Sequence, residues 1–95
     1  MARTRTPLEA AAGKLVSGIQ KEWGEEVGEP SSPVSEEVMH TSHSLLQSAA
    51  AHGSLSPVLG SASIVEFLGA EWVRAHPRVL PYIQALEAAS RVADV

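Results

Sequence analysis

Cysteine is absent from the sequence, so disulfides, thiol catalysis and cysteine-ligated zinc are excluded. Aromatics are few: Trp23, Phe67, Trp72 and Tyr82 are the whole set. Charge is missing from residues 38–65, which hold no Asp, Glu, Lys or Arg. That run still does not read as a membrane span. It contains three histidines, seven serines, two glycines and a proline, and its apolar density is too low for a bilayer core. No stretch alternates β-branched residues over four or more positions, so no strand is expected. Repeats, a Walker loop, a G-x-G-x-x-G turn and a G-x-S-x-G elbow are all lacking, and no catalysis is expected. The opening MARTRTPLEAAAGKL has no continuous apolar stretch of the kind a signal peptide needs. A soluble, cytoplasmic protein is the expectation.

What is present suits helices. Alanine and serine are abundant, which fits closely packed helices better than a β-sandwich. The 95 residues, 44% of them hydrophobic, suffice for one domain with one modest core. The formal charge is −4, and a nonspecific nucleic-acid binder would show a basic surface instead. We expect a short flexible arm over residues 1–5, carrying Arg3 and Arg5, and a single helical domain over 6–95.

Four helices can be placed. Thr6, Pro7 and Glu9 form the start signal of the first, and Leu8, Ala12, Leu15, Ile19 and Trp23 make one stripe along it. Residues 24–32 (GEEVGEPSS) read as a loop. Six of the eleven carboxylates lie between Glu22 and Glu37 with nothing basic among them, either a solvated edge or a docking surface for a basic partner. The second helix is expected from Ser32 as cap and Pro33 as first residue to about Ala51 or His52, with Gly53 as its stop. Val34, Val38, Leu45 and Ala49 form its stripe. The third should run from Pro57 or Ser63 to Ala75. Ser63 and Glu66 could form an internal capping box there, with a break near Gly60–Ser61. His76-Pro77 ends it, and Pro81 opens the fourth, which carries Tyr82, Ile83, Leu86, Ala89 and Ala93. The fold class is all-α: a small, irregular antiparallel bundle of four helices, or five if the third breaks.

Three groups of residues invite a functional reading. Glu36, His40 and His43 share an arc of the second helix opposite its apolar stripe, and their chemistry suits zinc, nickel or copper. No convincing fourth ligand accompanies them, and a solvated helix face explains them more simply. Arg74, His76 and Arg78 make a basic turn that could hold an anion or could merely complement a helix C-terminus. With Arg3 and Arg5 the turn also permits a DNA-associated regulator, although the overall charge opposes it. The segment from His43 to Ala49 resembles the phosphoacceptor helix of histidine phosphotransfer domains at His43, Leu45 and Ser48. Leu46 and Gln47 stand where that pattern has lysine and glycine, so the resemblance does not assign the chain to that family.

The third group is apolar. From Val58 to Val73 the only charges are Glu66 and Glu71, and the apolar residues wrap most of the helix. Such a helix is central in its fold or buried against a second chain. The expected function is a non-catalytic interaction module, such as an adaptor, regulator, inhibitor or subunit. Trp72, Phe67 and Leu68 would be its anchors, with Trp23 and Tyr82 beside them. The partner would be another protein, or itself in a homo-oligomer; no cofactor and no membrane are expected. The competing explanation is that all five are core.

Overall fold

Thr6 opens helix α1 (Pro7–Glu25). Its hydroxyl accepts from the backbone N–H of Glu9 at 3.1 Å, and the Glu9 carboxylate reaches back to the Thr6 N–H, a full capping box. Leu8, Ala12, Leu15 and Ile19 are buried as the stripe requires, and Trp23 is half-buried. This computed structural model describes residues 5–93, so most of the expected flexible arm lies outside the described residues. Arg5 is the exception. Its guanidinium lies over Gly13 of α1, so close that a Cβ there would meet it at 2.6 Å.

Helix α2 (Ser32–His52) starts a residue earlier than expected, because Ser31 rather than Ser32 is the residue before the first turn. Neither serine caps the helix by side chain. Ser31 donates to Glu26 at 2.6 Å, and Ser32 accepts from the Trp23 indole at 3.2 Å. Tertiary contacts have taken the hydroxyls that the local pattern assigned to capping. Gly53 ends the helix in the left-handed conformation, φ 66°. The buried face holds Val38, Leu45 and Ala49 with Ser35, Ser42 and Ser48. Val34, expected on the buried stripe, is 53% exposed, and its neighbour Ser35 takes the inward position instead.

The expected third helix is three pieces: α3 (Ser56–Leu59), α4 (Ile64–Leu68) and α5 (Ala70–Ala75). The Ser63–Glu66 capping box opens α4 as expected. A second break, at Gly69, was not anticipated; its φ of 111° and ψ of 108° lie in a region that glycine alone enters readily. A 3-10 turn (Pro77–Val79) follows, and α6 (Leu80–Ala93) begins one residue before Pro81.

Six α-helices and no strand are found among the described residues, an all-α fold. Helix α1 packs on both α2 and α6, and the short helices close the core. Leu15, Ile19, Leu45, Leu55, Ile83 and Leu86 are essentially inaccessible to solvent, each worth roughly 1.5–3 kcal/mol of burial. No helix among the described residues is long and apolar enough to cross a membrane.

Candidate functional site

Two features stand out from this frame: a polar seam at one end of the core and a basic groove along α1. The seam forms because the last turn of α1 carries Glu22 and Glu25, Glu26 caps it, and the turn after α5 returns His76 and Arg78 to meet them. Glu26 Oε2 accepts from Ser31 at 2.6 Å and from Ser35 at 2.9 Å. Its Oε1 lies 2.5 Å from His76 Nε2. His76 Nδ1 in turn donates to the Trp72 carbonyl at 2.8 Å. Both ring nitrogens thus face acceptors, and both bonds are made together when each nitrogen carries a proton. The Trp72 indole donates to Ser35 at 2.9 Å, and its ring stacks on His76 with centroids 4.1 Å apart.

Burial alone would raise the Glu26 pKa, but the hydrogen bonds from Ser31, His76 and Ser35 outweigh it and hold the carboxyl below its ordinary value. Arg78 bonds Glu22 through Nε at 3.3 Å and Nη2 at 2.7 Å, and Nη2 also contacts Glu25. The Arg78 hydrogen bond and charge hold Glu25 low as well.

Serine, histidine and carboxylate meet in this seam, yet they are wired against nucleophilic chemistry. Ser35 is fully buried and bonds the carboxylate, not the imidazole. An activated serine needs a base that takes its proton, and His76 spends both nitrogens elsewhere. The arrangement ties three distant parts of the chain together.

Helix α1 turns Lys14, Ser17, Gly18 and Lys21 to one side, at i, i+3, i+4 and i+7. Tyr82 of α6 lies over Gly18, where a Cβ would sit 2.9 Å from its ring. Arg5 closes the far end over Gly13. The result is an open groove of about 640 Å³ with an aromatic wall and three cations, Arg5, Lys14 and Lys21. None of the three lies within ion-pair distance of a carboxylate among the described residues, although the charge of Lys21 acts on Glu25, one turn along α1.

The residues singled out in the sequence are distributed unevenly over these features. Trp72, 8% exposed, and Leu68 belong to the core, while Phe67 and Trp23 are half-buried against it. Tyr82, at 40%, is the one of the five with a substantially open side chain. Of the basic turn, His76 and Arg78 face carboxylates and Arg74 stays in solvent, so the three do not converge on a common anion position. Glu36 and His40 are exposed, 3.7 Å apart, while His43 Nδ1 turns to the Met39 carbonyl at 3.1 Å. No group of three His, Asp or Glu able to hold a metal exists among the described residues.

Sequence reasoning passed over Lys14, Gly18 and Lys21. Their spacing on the polar face of α1 was a readable signal, but the partner residue Tyr82 lies on another helix. It also passed over Glu22, Glu25 and Glu26 as partners of the basic turn, fifty to fifty-six residues away, and Ser35 as the partner of Trp72, thirty-seven residues away.

No protein-family model matches the chain, and no match was found among curated proteins or among solved structures.

Proposed function

We propose that this chain is a small, non-catalytic interaction module, an irregular antiparallel bundle of helices whose contact face is the groove between α1 and α6. One observation carries the proposal: the half-exposed Tyr82 stands in a groove whose three cations have no ion-pair partner within the described structure. Tyrosine and arginine are enriched among the residues that dominate interface energetics, and Tyr82 and Arg5 both line this groove. The contact face moves here from the third helix of the sequence reading, because Trp72 and Leu68 are consumed by the core. Phe67, Val65, Leu59 and Val58 also pack against that core.

Capture experiments test the proposal. Tagged wild-type chain, Tyr82→Ala and Lys14→Glu/Lys21→Glu are each used to bind proteins from lysate. A stoichiometric partner held by the wild type and lost from both variants, with helix content unchanged, is the expected result. A partner held equally by all three would place the contact elsewhere.

A further inference from the structure

The chain carries a segment complementary to its own groove. Between α1 and α2, and over the first turn and a half of α2, Glu29, Glu36 and Glu37 are exposed. Val27 and Val34, at 74% and 53%, are among the most exposed large apolar side chains of the described structure. We propose that the groove receives this acidic, valine-bearing knuckle from a second copy of the chain, an inference that rests on the groove being a contact face.

Charge and shape both favour this occupant. The knuckle offers carboxylates beside aliphatic side chains, and the groove offers cations beside an aromatic ring. Lys14 and Lys21 stand about 10 Å apart along the helix axis, a span that two carboxylates of the knuckle can bridge. The knuckle is also preordered. Backbone bonds from Glu29 to Glu26 and from Ser32 to Glu29 fold it into successive turns, and Gly28 supplies the positive φ of 88°. Side-chain bonds pin it at Ser31 to Glu26 and at Trp23 to Ser32. A contact made by an ordered segment loses less conformational entropy on binding. The groove lining includes none of residues 27–37, so the contact needs another chain. Two copies can exchange knuckle and groove reciprocally, which closes a pair.

The test uses the full chain in sedimentation equilibrium, from micromolar to millimolar concentration. Wild type is compared with Lys14→Glu/Lys21→Glu, with Glu29→Lys/Glu36→Lys, and with an equimolar mixture of the two. All four positions are exposed, and circular dichroism checks that each variant stays folded. The expected result is a wild-type dimer, at least about tenfold weaker pairing in each variant alone, and recovery in the mixture. A wild type that stays monomeric overturns the inference, as does pairing indifferent to both variants or loss without recovery on mixing. A monomeric chain that still captures another protein through Tyr82 would overturn only the self-pairing and leave the module intact.

Discussion

Glu26 collects hydrogen bonds from Ser31, Ser35 and His76, and through Ser35 it also supports the Trp72 indole. Removing an acceptor shared by three donors, one of them the fully buried Ser35, costs more than one ordinary bond. Glu26→Ala should lose about 2–3 kcal/mol in urea denaturation, far more than truncation of the solvent-facing Glu37. The pH dependence has a definite sign. Glu26 titrates below its unfolded value of 4.5, so its stabilisation is complete above that value and is lost as pH falls through the lower, folded one. The stability gap between wild type and Glu26→Gln should therefore be widest near neutrality and narrow in acid. Glu25, held low by Arg78, and Glu66, held low by the Ser63 backbone N–H, share that sign.

Trp72 separates the two readings the sequence left open. Buried, hydrogen-bonded and stacked, it is a core residue, and Trp72→Ala should cost about 3–5 kcal/mol by thermal melting. Survival of a cooperative, near-wild-type transition would return it to the surface. From sequence, its apolar surroundings were visible but Ser35, thirty-seven residues away, was not.

Elements were legible where local chemistry decides them. Thr6 with Glu9, Ser63 with Glu66, and Gly53 each announce a helix end by short-range hydrogen bonding or left-handed geometry, and each stands where expected. The break at Gly69 was hidden, because a lone glycine inside a helical pattern is tolerated and only packing demands its unusual φ. Two glycine substitutions should consequently act in opposite directions. Gly69→Ala forces a β-carbon into strained backbone and should cost about 1–3 kcal/mol. Gly24 sits in α1 with open space around its missing β-carbon, and Gly24→Ala should gain about 0.5 kcal/mol. Melting temperatures of both variants check the pair of signs.

At the scale of the molecule, the apolar excess of the third helical region has a structural outlet. Breaking it at Gly60 and Gly69 lets Ile64, Leu68, Trp72 and Val73 all reach the core from short helices. A continuous helix would have left part of that surface in water, which is why the sequence pointed to an interface there. The partners of the basic turn were hidden for a related reason. Its acids come from the end of α1, and local spacing says nothing about residues so distant along the chain. Among the described residues, the face of α1 that carries Lys14 and Lys21, with Tyr82 beside it, has no carboxylate within ion-pair distance of either lysine.

The most direct measurement of that assignment is a concentration series of amide NMR spectra on labelled chain. Contact through the groove predicts that signals of Lys14, Gly18, Lys21 and Tyr82 shift together with those of Val27 to Glu37, while α3 to α5 stay still. Spectra that do not change with concentration would contradict the self-pairing, and shifts centred on Val58, Val65 and Phe67 would contradict the groove as the contact face.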